Sequence, residues 1–550
     1  MGAKSILLPG LCLRCNHKPG MQKSSAEMRE TMEKVFRYDE VPVVQTKAGK
    51  LKGYEFDGVL IFKGIPYARA KRFQKPEEVN AWEGVKEATS YGFVCPLLSQ
   101  DTPTAELLVP HRYWPQDENC QNLNIWTNTL EKKSGKPVMV WLHGGGYTAG
   151  SSIEQKAYDG FSMCVQGDVV VVTINHRLNV LGFLDLSPYG EKYKNSANAG
   201  LADLVEALKW IKENIAEFGG DPENVTLFGQ SGGGMKVTGL MQIPEADGLF
   251  HKGIVMSGVS DGKLMPTLPG DGKEIVRAVL NELNIPESEV ERLEIIPYYE
   301  LAKAYNKVCF TVAQKGAYMG GMPMINDYYM GEPLITGFTE HAKTIPLMVG
   351  SVFGEFSFRP FSFNKQDLTT EQTDAILREE YGEHAEKVKE LFMKAYPDKK
   401  PVDVLALDRI FRQPSKELAR LQAKGGKAPT YLYHFTLEFP YQNGKVAWHC
   451  SDIPFVFHNT NRVEICNIPG VSNKLEEQIF RAVMQFSRTG NPNHEGLPEW
   501  PSVTGEDEAT MIFDRKCEVR QNYDDELMKF FEEILPPFNL AMLLAQDVQH

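Results

Sequence analysis

The chain has 550 residues, of which 42% are hydrophobic and 24% are charged, proportions that are ordinary for a folded protein with a large core. Acidic side chains outnumber basic ones by 72 to 59, and the net charge of -13 disfavours nucleic acid as a partner, because phosphate binding needs basic clusters. No apolar run approaches the roughly 18 residues that indicate a membrane span.

The N-terminal segment carries neither a clear targeting signal nor a predicted helix or strand. It opens with "MGAKSILLPGLCLRC", whose short apolar core is interrupted by Pro9 and Gly10, and no small-residue cleavage site follows. Cys12 and Cys15 form a C-x-x-C without a second pair, which is a weak signal for a metal site. We expect residues 1–36 to be a disordered leader, with a start assigned too far upstream as the alternative.

Strand and helix patterns alternate along the rest of the chain. Short runs between Gly and Asp turns in 41–68 predict antiparallel strands. From about residue 137, continuous apolar runs such as "KPVMVWLHGGG" and "GDVVVVTINHR" are typical of parallel strands buried on both faces. The stretch "LADLVEALKWIKENIAEFGG" (201–220) predicts a helix that ends at two glycines. Further strands are predicted at "NVTLFG" and at 252–258, 344–351 and 429–435.

This alternation predicts an α/β fold with a mainly parallel central sheet flanked by helices and with antiparallel strands at its N-terminal side. Two long segments rich in helix formers, near 262–340 and 360–425, are expected to be cap insertions at one end of the sheet. Neither an internal repeat nor a low-complexity linker divides the chain. We therefore expect residues 37–550 to form a single domain.

A G-x-S-x-G motif, from Gly229 to Gly233, stands between a predicted strand and a helix-like stretch. A sharp turn from strand to helix strains the backbone at the serine, and side chains two positions away would collide, so glycine is needed at both ends. Such a turn exposes Ser231 at the carboxyl edge of the sheet, beside the positive end of a helix. The alternative, a glycine-rich loop without chemistry, leaves the strand before the motif and the helix after it unexplained.

The stretch "HGGGY" (143–147) ends another predicted buried strand. Its glycines leave backbone N–H groups free to point into a site, and a nucleophilic serine needs such donors for the oxyanion that forms during acyl transfer. By itself, a glycine run after a strand is most often a turn. Beside the serine motif, it predicts an oxyanion loop.

Together these motifs resemble those of the type-B carboxylesterases, the cholinesterase-like branch of the α/β-hydrolase fold. The resemblance extends from about residue 41 to about residue 535. It implies an α/β-hydrolase fold and ester hydrolysis through a Ser–Glu–His triad and an acyl-enzyme, with Gly145, Gly146 and Gly232 at the oxyanion positions. The further stretches that carry it are "FKGIPYA" (62–68), "ENCQNLNIW" (118–126), "NHRLNVLGFL" (175–184) and "FSRTGNPN" (486–493).

The resemblance also implies the two partners of Ser231. The stretch "WHCSDIPFVF" (448–457) resembles the histidine loop of the family and places the base at His449, with His458 as the local rival. The stretch "IPLMVGSVFGEFSF" resembles the strand and turn that carry the acid, which gives Glu355. Asp452 is the competing carboxylate, but it follows the base in the chain, whereas the acid of this fold precedes it.

Three neighbours of these residues depart from the common family pattern. Phe356 stands where Gly is usual, Gln230 where Glu is usual, and Gly232 where Ala is common. None of these changes removes a catalytic group. They weaken any transfer of substrate preference from better-known members of the family.

The cysteines bear on where the enzyme works. Extracellular relatives bridge the pair that matches Cys95 and Cys120, whereas an intracellular protein keeps both thiols reduced. Because the N-terminal segment is not a convincing signal, we expect a cytoplasmic enzyme, with secretion as the alternative.

The sequence therefore predicts a serine carboxylesterase that acts on a small-molecule ester and needs neither a cofactor nor a metal. A thioesterase, an amidase or an acyltransferase would use the same triad, and a catalytically silent binding protein on this fold is the remaining alternative. No H-E-x-x-H motif indicates a metallohydrolase. The physiological ester and the oligomeric state are left open.

Overall fold

The computed structural model describes residues 36–37, 41–99, 108–262, 270–358 and 361–536. The expected leader, residues 1–36, lies outside these ranges apart from Phe36, and so do Cys12 and Cys15. The single-domain organisation expected for residues 37–550 stays a prediction.

Seventeen strands form three sheets within the described residues, and the largest sheet has twelve strands in the order β1-β4-β5-β9-β11-β10-β12-β13-β14-β15-β16-β17. In chain order the strands are β1 (Phe36–Arg37), β2 (Val43–Gln45), β3 (Lys50–Lys52), β4 (Tyr54–Phe56), β5 (Val59–Pro66), β6 (Ala68–Arg69), β7 (Glu77–Glu78), β8 (Val85–Glu87), β9 (Asn122–Thr127), β10 (Lys136–Leu142), β11 (Val170–Ile174), β12 (Gly220–Gln230), β13 (Lys252–Met256), β14 (Leu347–Val352), β15 (Thr430–Phe435), β16 (Ala509–Phe513) and β17 (Glu518–Gln521). Strands β2, β3 and β8 form a small second sheet, and β6 pairs with β7.

The centre of the large sheet is parallel, from β11 through β10, β12, β13, β14 and β15 to β16. Strands β1, β4, β5 and β9 add an antiparallel edge on the N-terminal side, and β17 adds one on the other side. The apolar runs of the central strands follow from this arrangement, because both faces of the sheet are covered. The predicted mainly parallel sheet with antiparallel N-terminal strands is confirmed.

Helices cover both faces of this sheet. In chain order the α-helices of the described residues are α1 (Phe161–Gly167), α2 (Asn179–Phe183), α3 (Ala199–Asn214), α4 (Gly232–Leu240), α5 (Lys273–Glu282), α6 (Tyr298–Gln314), α7 (Pro333–Thr336), α8 (Thr370–Tyr381), α9 (Ala385–Ala395), α10 (Arg412–Gly425), α11 (Ile453–Val456), α12 (Ser472–Thr489) and α13 (Asp525–Ile534). Successive residues of β10 enter opposite cores, Met139 and Trp141 on one face and Val138 and Val140 on the other. Among the residues that the structure describes, no helix has both the length and the apolar character that crossing a bilayer requires.

The two segments expected as cap insertions are largely helical and differ in how they pack. The first holds α5, α6 and α7, and residues of α5 and α6 such as Ile275 and Leu301 share a separate core with Val180 of α2. The second holds α8, α9 and α10, and Leu418 and Ala419 of α10 belong to the core on one face of the sheet. The second segment therefore supplies a sheet-flanking helix as well as the helices outside the sheet.

Cys95 and Cys120 are free, buried thiols that pack together with Leu178 and Leu181. Burial, with the Cys95 thiol beside it, raises the pKa of the Cys120 thiol well above its ordinary value. The two thiols are near neighbours and are not joined by a disulfide bond. The cytoplasmic location expected from the sequence stays a proposal.

Candidate active site

The strand–turn–helix predicted around Ser231 is present. Strand β12 ends at Gln230, α4 begins at Gly232, and Ser231 between them has φ 57° and ψ −126°. A non-glycine residue adopts such a backbone conformation only where the surrounding structure enforces it. Here a Cβ atom at Gly233 would collide with the carbonyl oxygen of Leu142, so helix and strand approach too closely for any side chain. The turn leaves Ser231 partly exposed at the carboxyl edge of the sheet.

The predicted oxyanion loop lies directly against the start of α4. Leu142, at the end of β10, pairs with Gly229 of β12, so both loops leave the sheet at the same edge. A Cβ atom at Gly232 would collide with the backbone of Gly146. Among the described residues, the N–H groups of Gly145, Gly146 and Gly232 donate to no acceptor. Three unpaired donors in contacting backbone segments are suited to stabilising a negative oxygen.

A buried lysine supports this loop. The Nζ atom of Lys236 in α4 donates to the carbonyl oxygen of His143, 2.9 Å away, and the lysine side chain is fully buried. Burial lowers the pKa of Lys236 to about 7. Lys236 was not predicted from the sequence, although a lysine in the apolar, glycine-rich helix "GGGMKVTGL" was an available signal. It links the helix of the candidate nucleophile to the first residue of the oxyanion loop.

Glu355 and His449 are in direct contact. The Oε2 atom of Glu355 lies 2.5 Å from Nδ1 of His449, while its Oε1 atom accepts a hydrogen bond from the Val352 N–H at 3.0 Å. Two backbone bonds join their loops, since His449 N–H donates to the Glu355 carbonyl and Gly354 N–H donates to the carbonyl of Ala447. A carboxylate at Nδ1 favours the tautomer with the proton on that atom, which leaves Nε2 as the acceptor.

Burial controls the protonation of this pair. It lowers the pKa of His449 below its ordinary value and raises that of Glu355. The nearby carboxyl groups of Asp452 and Asp408 raise the pKa of His449 and so oppose the effect of burial. Burial also raises the pKa of Asp452 and that of Asp408, each to about 7. A histidine with a lowered pKa is neutral at neutral pH, which is the form that accepts a proton.

The rival residues lie in other surroundings. His458 faces Glu476 and Glu477, with nitrogen–oxygen distances of 3.7 and 3.6 Å. Asp452 accepts a hydrogen bond from the hydroxyl of Tyr433 at 2.8 Å and makes none to His449. Their positions favour His449 and Glu355 as the base–acid pair.

Ser231 and His449 are not joined by a hydrogen bond in the described part of the chain. The side-chain amide nitrogen of Gln230 lies instead 3.2 Å from both ring nitrogens of His449. Catalytic hydrogen bonds are often long or absent without substrate and form in the complex. The structure thus brings Glu355 into contact with His449, and it brings the oxyanion loop into contact with the start of α4. The hydrogen bond between Ser231 and His449 is not formed.

Two phenyl rings pack on the imidazole of His449. The ring centroid of Phe356 is 4.5 Å away and that of Phe411 is 5.5 Å away, the latter nearly parallel at 9°. Phe356 is one of the departures from the family pattern, and its ring fills space beside the candidate base. Phe411 and Asp408 were not predicted from the sequence, because nothing in their segment marks them as neighbours of the histidine. The described residues contain no group of three or more His, Cys, Asp or Glu side chains placed to hold a metal.

The sequence matches the model of the carboxylesterase family over residues 40–531. Para-nitrobenzyl esterase of Bacillus subtilis (strain 168) is 34% identical over 496 residues, which cover 88% of this chain and 97% of the relative. Phenmedipham hydrolase of Pseudarthrobacter oxydans is 31% identical over 489 residues, which cover 86% of this chain and 94% of that protein.

Solved structures agree with these matches. An esterase from anaerobic Clostridium hathewayi, which can hydrolyse aliphatic aromatic polyesters, is 60% identical with a TM-score of 0.90, and the match covers 92% of this chain and 100% of that one. A structure of PNB esterase is 32% identical with a TM-score of 0.71, covering 90% and 99% of the two chains. Both matches extend over nearly the whole of the related chain.

Proposed function

The chain belongs to the carboxylesterase family and is a carboxylic ester hydrolase, and on that premise we propose that it works through Ser231, His449 and Glu355 and a covalent acyl-enzyme. The observation that carries the proposal is the contact of 2.5 Å between Glu355 Oε2 and His449 Nδ1. It sets the imidazole in the tautomer that a general base needs. The strained turn at Ser231 supports the assignment of the nucleophile.

In the acylation step, Nε2 of His449 takes the proton of the Ser231 hydroxyl while the serine oxygen attacks the ester carbonyl carbon. The carbonyl oxygen becomes an oxyanion that accepts hydrogen bonds from the N–H groups of Gly145, Gly146 and Gly232. The imidazolium, stabilised by Glu355, then donates its proton to the leaving alkoxide. The alcohol departs and the acyl group stays on Ser231.

Deacylation repeats these steps with water. His449 takes a proton from water as the water oxygen attacks the acyl carbon, and the same N–H groups stabilise the second oxyanion. The proton then returns to the serine oxygen, and the carboxylic acid leaves. Each proton that His449 accepts is given back within the same half-reaction, so the enzyme is regenerated.

We further propose that esters joining aromatic acids to aliphatic alcohols are among its substrates. The support is the esterase from Clostridium hathewayi, which can hydrolyse aliphatic aromatic polyesters and is 60% identical over 92% of this chain. A soluble aromatic diester and a film of an aliphatic aromatic polyester test this class. The thioester and the anilide of the same acyl group, tested beside them, separate esterase from thioesterase and amidase activity.

The nucleophile is tested by covalent labelling. We expect an organophosphate to modify Ser231 in equimolar amount and to abolish turnover, with the modified peptide identified by mass spectrometry. Ser231→Ala should lose both labelling and activity, because no other hydroxyl can replace the strained serine. Ser152→Ala is the matched control, since this buried serine lies in the loop after the oxyanion loop and accepts a hydrogen bond from Asn124. Full activity in Ser231→Ala, or labelling at another serine, contradicts the assignment.

A further inference from the structure

The side chain of Gln230 contacts both the candidate base, His449, and the next residue in the chain, Cys450. Gln230 is the last residue of β12 and is fully buried. Its amide nitrogen lies 3.2 Å from both ring nitrogens of His449, and its amide oxygen accepts a hydrogen bond from the thiol of Cys450 at 3.3 Å. One side chain therefore contacts two adjacent residues of the histidine loop.

The equal distances show which part of the imidazole the amide contacts. A point in the ring plane that is equally close to both nitrogens would collide with a ring carbon, so the amide nitrogen of Gln230 faces the flat side of the ring. The in-plane lone pair of Nε2 is left available for the serine hydroxyl. The phenyl centroids of Phe356 and Phe411 are only 6.1 Å apart, so these rings do not enclose the imidazole from opposite sides. One face of the imidazole is therefore left open to Gln230.

The thiol of Cys450 determines which end of the amide faces the histidine. Burial raises the pKa of this thiol well above its ordinary value, so it stays protonated and donates to the amide oxygen. The amide N–H group is thereby directed at the ring. Cys450 has φ 78°, a backbone conformation that a non-glycine residue rarely adopts, and this turn brings the thiol back towards β12.

Carboxyl groups already surround His449. Glu355 bonds its Nδ1 atom, and Asp408 and Asp452 are buried nearby on the loops before α10 and α11. Each ionised carboxylate stabilises the imidazolium and so raises the pKa of the base. Further ionisable groups at this cluster are the hydroxyl of Tyr433 and the thiol of Cys450, whose pKa the carboxyl of Glu154 also raises. At position 230, an amide contacts the ring without adding a further carboxylate.

We propose that Gln230 is a positioning residue of the base: its amide holds the imidazole of His449 against Phe356 and keeps a carboxylate away from the ring, so that the base stays unprotonated into mildly acidic solution. The proposal rests on the assignment of His449 as the base. It gives a physical reason for an amide at this position, where the family commonly has a carboxylate.

The charge is tested with Gln230→Glu, which keeps the shape of the side chain. A carboxylate within a few ångströms of the ring stabilises the imidazolium, so the neutral form is lost at a higher pH. We expect the acid limb of kcat/KM to move to higher pH by about one unit. Gln242→Glu is the matched control, because Gln242 is equally buried but bonds only the segment around Gly331 and Gly337.

The positioning is tested with Gln230→Met, which keeps the volume and removes both polar contacts. We expect kcat to fall about tenfold or more with KM little changed, because a loosely held base is seldom in the reactive geometry. Gln242→Met should lower the melting temperature and leave the pH profile unchanged. Cys450→Ala should also lower kcat, but by less than Gln230→Met does. Cys450→Ser should restore kcat, because a hydroxyl also donates to the amide oxygen of Gln230.

These outcomes separate the inference from the proposed function. If the organophosphate labels Ser231 and His449→Ala is inactive, but Gln230→Glu and Gln230→Met follow the wild-type pH profile and rate, this inference alone is wrong. If Gln230→Met changes only the melting temperature, Gln230 is structural and the inference is also wrong. If His449→Ala stays active, the assignment of the base fails, and the role of Gln230 fails with it.

Discussion

At the scale of single residues, three buried carboxyl groups lie around His449, and their contacts differ. Glu355 bonds Nδ1 directly, whereas Asp452 is held by the Tyr433 hydroxyl. Asp408 accepts hydrogen bonds from the N–H groups of Ile410, Phe411 and Arg412, which anchor the turn before α10. Of the three, Glu355 alone contacts the imidazole, so contact and not nearness in the chain is the ground for proposing it as the acid.

We expect Glu355→Gln to remain folded and to lose about 10⁴-fold in kcat, the scale seen when the acid of such a triad becomes an amide. Asp452→Asn should lose much less activity and mainly lower the melting temperature, because its partner is Tyr433 and not the base. Steady-state kinetics and thermal unfolding of the two variants measure the difference. Near-normal turnover in Glu355→Gln together with an inactive Asp452→Asn would reverse the two roles.

At the scale of elements, the oxyanion loop and α4 pack together as one unit. The loop follows β10, the helix follows β12, and the two strands are hydrogen-bonded neighbours. Lys236 joins the helix to the loop through the carbonyl oxygen of His143. The loop turns through Gly145 and Gly146, whose φ angles are 85° and 61°. These conformations are open to glycine and closed to a β-branched residue, so the direction of the N–H groups depends on glycine.

We expect Gly146→Val to lower kcat by orders of magnitude in a protein that stays folded. A Cβ atom at this position meets nothing closer than Thr148 Oγ1 at 3.9 Å, so the change acts through backbone strain and not through a collision. Loss of one oxyanion donor costs about 2.7–4 kcal/mol of transition-state stabilisation. Gly248→Val is the matched control, because Gly248 has φ 71° with no atom near its Cβ position and lies outside the site. Equal kcat values in the two variants would place the oxyanion donors elsewhere.

At the scale of the whole molecule, a buried ion cluster fastens α10 to the C-terminal part of the chain. The guanidinium of Arg412 bonds Asp524 at 2.7 Å and Glu508 at 3.0 Å, and Lys416 bonds Asp524 at 2.6 Å, with all four side chains fully buried. Burial alone would raise the pKa of Asp524, but the charges of Arg412 and Lys416 hold it well below its usual range. Because the pKa of Asp524 is lower in the folded protein than in the unfolded chain, its carboxylate stabilises the fold at pH values above the unfolded pKa of about 3.9. This stabilisation is lost as the pH falls through the pKa of the folded state.

We expect Arg412→Met to lower the free energy of unfolding by about 3–5 kcal/mol, because it leaves Asp524 and Glu508 buried without their main partner. Arg292→Met, which removes an exposed pair with Glu289, should lower it by no more than about 1 kcal/mol. Urea unfolding at neutral pH measures both variants. Similar values for the two would show that the buried cluster contributes nothing beyond a surface pair.

The sequence by itself determined the local elements whose chemistry is contained in a few neighbouring residues. The G-x-S-x-G motif predicted the strained turn at Ser231, and continuous apolar runs predicted the parallel strands, because backbone sterics and two-sided burial act over short stretches. The helix predicted at 201–220 appears as α3 and a 3₁₀ turn, Ile215–Phe218, which Gly219 caps. Resemblance to the family supplied Glu355 and His449 as predictions, which labelling and kinetics have yet to test.

Only the tertiary structure decided what surrounds the candidate base. Gln230 and His449 are 219 residues apart, and the contact between them depends on how β12 and the histidine loop meet at one edge of the sheet. Phe411 and Asp408 reach His449 from the turn before α10, and Lys236 is buried because α4 packs against the oxyanion loop. Burial and charge at an atom are sums over all neighbours, whatever their place in the chain. For that reason the sequence predicted which groups react, whereas the fold set their protonation and their orientation.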